Sequence, residues 1–144
     1  MDKGQKYIEM CEKAREIQAQ WVQGKGDWFV SEDDSVRCCV SASYESAIIR
    51  KGFRITENEG VIRLSKYIWL PRLEQLMDMA QKKNISHGNS VHVFYHWTKI
   101  PYDASDRFPG KIFTSVEQSW LAFVMQIKYF KKWNGKDWTT IFFT

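Results

Sequence analysis

The C-terminal segment SVEQSWLAFVMQIKYFKKWNGKDW, residues 115–138, constrains the fold most strongly, because a helix start and its inward face can both be read from it. Ser115 suits the N-cap position, and Gln118 three residues later completes a capping box with the Ser115 N–H. Large apolar residues then recur at helical spacing, and WNG supplies residues that end helices. The pattern predicts a helix over 116–132 whose ring-bearing side packs inward. That side consists of Trp120, Phe123, Val124, Ile127 and Phe130.

The beginning of the chain carries a second apolar stripe at helical spacing, which predicts a helix over 5–22. Two glycines in QGKGDW end this helix. The segments DWFV and VRCCV then flank SEDDS, a sequence rich in turn-forming residues, and predict two strands within 27–41. The members of the helical stripe are Tyr7, Met10, Cys11, Ala14, Ile17 and Trp21.

Residues 41–60 admit two interpretations. SASYESAIIRKG can form a short helix, with Ser43 as N-cap and Gly52 just past its end, or a strand that pairs with FRI and VIRL. The helix is favoured, followed by a hairpin through TENEG whose strands lie in 53–65.

The central part predicts one more helix and one more strand. Pro71 suits the first position of a helix over 71–83, because its missing N–H is harmless there. SVHVFYHW is rich in β-branched and aromatic residues and predicts a strand at 90–98. KIPYDASDRFPGK contains two prolines and turn-forming residues and is interpreted as a surface loop.

These elements predict a single α+β domain over residues 1–144, with about three helices packed on a small, mostly antiparallel sheet.

The start MDKGQKYIEM lacks the apolar region of a secretory leader, and no apolar run reaches the roughly 18 residues that span a bilayer. Cys11, Cys38 and Cys39 are odd in number and have no metal-binding spacing. A cytoplasmic protein without membrane contact is expected.

Positive charge is concentrated towards the C-terminus. Residues 1–60 carry nine Lys/Arg and eleven Asp/Glu, whereas residues 61–144 carry twelve and six. Ammonium groups can neutralise phosphates while neighbouring rings stack on unpaired bases. A group of lysines and tryptophans near the C-terminus therefore predicts a nucleic-acid or partner-binding site. The alternative is that these residues are only the basic end of a helix on a solvated face. The group consists of Lys128, Lys131, Lys132, Trp133, Lys136 and Trp138.

Three histidines, His87, His92 and His96, lie close together in the sequence. In the predicted strand His92 and His96 share a face but lie about 13 Å apart, too far to hold one metal ion. No metal site and no cofactor are therefore predicted. His92 and His96 are the candidates for acid–base catalysis, because histidine is the side chain that titrates near neutrality. The sequence contains neither a phosphate-binding glycine loop nor a GxSxG elbow.

At WLPRLEQLMDMA, residues 69–80, and at residues 115–138 the chain resembles a family of small, uncharacterised proteins encoded by phages and prophages of Gram-positive bacteria. Those proteins pair a WLPRxxQL segment with a C-terminal SxEQxWLAFVMxxKYxKxWxGxxW segment. The resemblance implies expression inside a bacterial host cell. It implies no activity and identifies no catalytic residue.

Three functions follow from these patterns. The leading expectation is a non-enzymatic phage or prophage accessory module that binds a host or phage macromolecule, supported by an excess of aromatic residues: seven Trp, nine Phe and six Tyr. An apolar patch exposed on the folded chain would favour it. The alternatives are nucleic-acid binding by the basic C-terminal region and a small enzyme that uses His92 or His96.

Overall fold

The computed structural model of the chain describes residues 1–39, 47–50, 53–58, 61–81 and 87–141, with side chains for 1–39, 67–81 and 89–141. Two units are formed: an N-terminal unit, Lys3–Pro71, and a C-terminal unit, Met1–Asp2 with Arg72–Thr144. The described residues include both helices and antiparallel strands, so the predicted α+β class is confirmed. A single domain over 1–144 stays a prediction.

The described residues of the N-terminal unit form two short helices and two three-stranded sheets, ordered β2-β1-β6 and β3-β4-β5. Every strand pairing in these sheets is antiparallel. The elements are α1 (Gln5–Lys13), α2 (Arg15–Gln18), β1 (Trp28–Val30), β2 (Val36–Cys38), β3 (Ala47–Arg50), β4 (Phe53–Asn58), β5 (Val61–Lys66) and β6 (Ile68–Leu70).

The predicted first helix is interrupted at Ala14, whose ψ of 73° is not helical, so the single helix over 5–22 is wrong. The carbonyl of Cys11 instead accepts hydrogen bonds from the Ala14 backbone N–H and from the side-chain amide of Gln18, and these bonds stabilise the break. All six residues of the predicted stripe are nevertheless buried. The inward face was therefore predicted correctly although the helix was not continuous.

The predicted hairpin around SEDDS is confirmed, because β1 pairs with β2 from Trp28↔Cys38 to Val30↔Val36. The hairpin through TENEG is also confirmed, with Asn58 opposite Val61. The favoured short helix before it is wrong where the structure describes the chain, since Ala47–Arg50 is a strand paired with Phe53–Thr56. Residues 40–46 lie outside the described residues.

The C-terminal unit contains four helices and a two-stranded hairpin within its described residues. The helix predicted over 71–83 begins at Leu73 rather than at Pro71, because Arg72 is its N-cap residue and the Gln75 side chain accepts the Arg72 N–H. It ends at Ala80, since Gln81 is extended. The elements are α3 (Leu73–Ala80), α4 (His87–Trp97), α5 (Pro109–Ile112), α6 (Val116–Tyr129), β7 (Lys131–Trp133) and β8 (Trp138–Thr140).

The strand predicted at 90–98 is wrong, because these residues belong to helix α4 and the turn that follows it. Among the residues of α4 whose side chains are described, 89–97, the buried or half-buried ones are Ser90, Phe94 and Trp97, which follow helical spacing. Phe94 stacks on Trp120 of α6, with ring centroids 4.2 Å apart. Packing of this stripe on α6 outweighs a β preference of at most about 1 kcal/mol.

Helix α6 begins as predicted, with the Ser115 side chain accepting the Gln118 N–H at 3.1 Å. The other half of the predicted capping box is wrong, because the Gln118 side chain accepts from the Thr114 N–H rather than from Ser115. The helix ends at Tyr129, not at 132, since Phe130 adopts a left-handed conformation with a φ of 53°. Trp120, Phe123 and Val124 are buried and Ile127 is half-buried, as predicted for the inward side. The inclusion of Phe130 is wrong, because this residue lies past the end of the helix and is 50% exposed.

Candidate functional site

Aromatic packing within the C-terminal unit fixes α4 against α6. Trp97 lies 5.4 Å from Phe123, measured between ring centroids, and its indole N–H donates to Gln126 Oε1 at 3.0 Å. Phe94 contacts both Trp120 and Phe123. These contacts leave the opposite side of α4 uncovered.

The segment after α4 is anchored by Tyr102, although the sequence suggested a surface loop. The Tyr102 ring is buried against Phe113 and Trp97, with centroids 5.1 and 5.8 Å away. Its hydroxyl oxygen accepts a hydrogen bond from the Trp133 N–H at 2.7 Å. Burial raises the pKa of Tyr102, so this hydroxyl remains neutral.

A salt bridge shapes the tip of the same loop. The Arg107 guanidinium contacts the Asp103 carboxylate, which also accepts the backbone N–H groups of Ser105 and Arg107. The hydrogen bond from the Arg107 side chain lowers the pKa of Asp103 below its ordinary value. The loop therefore reaches α5 in a defined conformation.

The first two residues of the chain fix the start of α6. The Asp2 carboxylate accepts hydrogen bonds from the Gln118 amide and the Ser115 hydroxyl. The terminal ammonium of Met1 lies 3.5 Å from Glu117 Oε1. An acidic residue and an N-cap hydroxyl at this end complement the helix dipole.

A groove of about 840 Å³ lies between the C-terminal end of α4, helix α5 and the start of α6. Phe108 and Val116 remain 45% and 54% exposed beside it. Two lysines and several hydroxyl groups complete its lining. The lining residues are Phe94, Thr98, Lys99, Phe108, Gly110, Lys111, Phe113, Thr114, Ser115, Val116 and Ser119.

The lining of this groove combines apolar rings with ammonium and hydroxyl groups. Its described lining includes no carboxylate, imidazole or thiol that could transfer a proton or attack a substrate. Apolar rings offer contact area that a bound ligand would shield from water, while ammonium and hydroxyl groups offer hydrogen bonds that select a partner. Further large apolar side chains are exposed on α4 and just after it: Val91, Val93, Tyr95 and Ile100.

The predicted basic, aromatic site is only partly available at the surface. Trp133 and Trp138 face each other across the β7–β8 hairpin and are just 4% and 7% exposed, which removes both rings as stacking surfaces. Lys132 lies over the Tyr102 ring at 5.3 Å, and Lys128 lies 6.0 Å from the Tyr129 ring centroid. Lys131 and Lys132 belong to a strand, not to the predicted last turns of a helix. A binding role for Lys128, Lys131, Lys132 and Lys136 stays a prediction.

The predicted distance between His92 and His96 is wrong, because both lie on a helix. Their Nε2 atoms are 3.2 Å apart, not about 13 Å. Both rings are exposed, and in the described part of the chain their contacts are with each other and with Tyr95. Neither residue lines the groove, and the catalytic role of His92 and His96 stays a prediction.

The acidic turn of the N-terminal unit has a structural explanation. The Asp33 carboxylate accepts hydrogen bonds from Ser31 and Ser35 and pairs with Arg37 at 2.9 Å. These hydrogen bonds, led by that of Ser31, lower the pKa of Asp33. Asp34 follows with a φ of 62°, a conformation that Asp adopts more readily than most residues.

Sequence reasoning missed the groove, because Phe108 and Lys111 lie in a segment interpreted only as a loop. The available signal was FPGK, since proline favours the first turn of a short helix after an exposed ring.

No family model, curated protein or solved structure matches the chain. The described helices include none that is long and apolar enough to cross a bilayer.

Proposed function

We propose that the chain is a non-enzymatic accessory module that binds a protein partner through the groove of its C-terminal unit. The sequence resemblance suggests that it acts inside a bacterial host cell that carries a phage or prophage. The groove carries the proposal, since large apolar side chains remain exposed around a concavity that has no catalytic groups in its described lining.

The side chains around the groove favour a particular class of partner. Phe108 and Val116 offer exposed apolar surface, and burying it against a partner would stabilise the complex. Lys99 and Lys111 place two positive charges in the lining. Because opposite charges guide encounter and select partners, the ligand class is a protein segment that combines apolar side chains with Asp or Glu.

Selection of random peptides displayed on particles tests this proposal. Peptides that bind the wild-type protein are expected to combine large apolar residues with acidic ones. Phe108→Ser or Val116→Ser should raise the Kd of the selected peptide about tenfold, because each removes a central apolar contact. Lys99→Glu combined with Lys111→Glu should weaken it further, and isothermal titration calorimetry measures each Kd.

Val22→Ser is the matched control, because Val22 is 84% exposed but belongs to the N-terminal unit. It should leave the Kd unchanged. Selected peptides that bind the groove variants as tightly as wild type would contradict the proposal. Tight binding of a single-stranded oligonucleotide that weakens steeply with salt and disappears in Lys131→Glu with Lys132→Glu would favour nucleic-acid binding instead.

A further inference from the structure

We propose that His92 and His96 form a surface site for one divalent transition-metal ion of the Zn²⁺ class. The site is separate from the groove, because neither histidine lines it. The inference therefore stands or falls independently of the proposed function.

Helix α4 brings the two imidazoles together. Residues four apart lie on the same helix face, and this spacing suits two ligands of one metal ion. The ring centroids of His92 and His96 are 4.5 Å apart and the ring planes are nearly perpendicular, at 81°. Both side chains are exposed, so an ion reaches them directly from solvent.

The distance between the two nitrogen atoms matches the requirement of a single ion. Two nitrogens that each bind a tetrahedral Zn²⁺ at about 2.0–2.1 Å are separated by roughly 3.3 Å. The Nε2 atoms of His92 and His96 are 3.2 Å apart. The helix backbone and rotamers therefore already hold both ligands at the correct separation.

The surroundings define which ions fit and how they are held. Imidazole binds Zn²⁺, Ni²⁺ and Cu²⁺, whereas Mg²⁺ and Ca²⁺ require oxygen ligands. In the described part of the chain, no group of three or more His, Cys, Asp or Glu residues converges on one point. With these two histidines as its only ligands among the described side chains, a bound ion has its remaining coordination positions open to water.

Calorimetric titration of tag-free protein with ZnCl₂, in a buffer that does not bind metals, tests the site. The wild type is expected to bind Zn²⁺, and His92→Gln or His96→Gln should weaken binding at least tenfold. Glutamine preserves helix propensity and can hydrogen-bond to the remaining imidazole, so circular dichroism should show unchanged helix content. MgCl₂ should produce no binding signal.

Two control variants locate the ion. His87→Gln should leave Zn²⁺ affinity unchanged, because the proposed site uses only His92 and His96 as protein ligands. Cys38→Ser should also leave it unchanged. Zn²⁺ affinity that survives in the folded His92→Gln and His96→Gln variants, or that disappears in Cys38→Ser, would overturn the proposal.

Discussion

Single buried polar side chains hold segments of this chain together at positions that a hydrophobic pattern does not reveal. Gln18 is buried and pairs with β6 on the side that faces away from β1. Its amide N–H donates to the Trp69 carbonyl at 2.9 Å, and its Oε1 accepts the Trp69 N–H at 2.8 Å. One side chain thus satisfies both backbone groups that an edge strand would leave unpaired.

Gln18→Ala is expected to lower the free energy of unfolding by about 2–4 kcal/mol, because it leaves two buried backbone groups of Trp69 without partners. Urea denaturation followed by circular dichroism measures the change. Gln20→Ala is the matched control, since Gln20 is exposed, and should change stability by less than about 0.5 kcal/mol. Equal effects of the two substitutions would show that Gln18 does not hold β6.

Tyr102→Phe should lower the free energy of unfolding by about 1–3 kcal/mol, because the buried Trp133 N–H loses its acceptor. Tyr95→Phe, at an exposed position, is the control.

Burial raises the pKa of Tyr102, so the folded state holds the phenolic proton more tightly than the unfolded state. Stability should therefore fall as pH rises above about 10, and less so in Tyr102→Phe. Identical alkaline curves for the wild type and Tyr102→Phe would contradict this role.

Helix α4 is the element in which local sequence preference and tertiary packing disagree. Val91, Val93, Phe94, Tyr95 and Trp97 all favour strands when taken one by one. The buried positions, however, follow a helical period, and the aromatic rings of α6 provide the surface on which they pack. The geometry of His92 and His96 depends entirely on this outcome.

Phe94→Ala should lower the free energy of unfolding by about 2–4 kcal/mol, since it removes a ring stacked on Trp120. Val93→Ala should be neutral or slightly stabilising, because Val93 is exposed and Ala is the better helix former. Thermal denaturation measures both. A strand at this position would instead be destabilised by Val93→Ala, which would contradict the helical assignment.

At the scale of the whole molecule, the start of α6 and the two hairpins were predictable from local sequence, whereas the helical state of α4 and the contacts among α4, α5 and α6 were not. Ser115 as N-cap and the inward side of α6 follow from spacing alone. The burial of Trp133 and Trp138 depends on a hairpin that pairs them. The groove depends on how α4, α5 and α6 meet, and no periodicity within a single segment encodes that arrangement.

The architecture of the C-terminal unit separates structural rings from available ones. Five aromatic side chains of this unit are buried in its core: Trp97, Tyr102, Phe113, Trp120 and Phe123. Phe108 and Val116, by contrast, remain exposed beside two lysines in a groove. The proposed binding through this groove would explain why these apolar side chains are exposed.

Hydrogen–deuterium exchange of the protein, with and without an acidic peptide selected for binding, tests this binding surface most directly. Slower exchange is expected at amides within 94–99 and 108–119, the segments that line the groove. Slower exchange confined to 128–138, with the groove segments unchanged, would contradict binding at the groove.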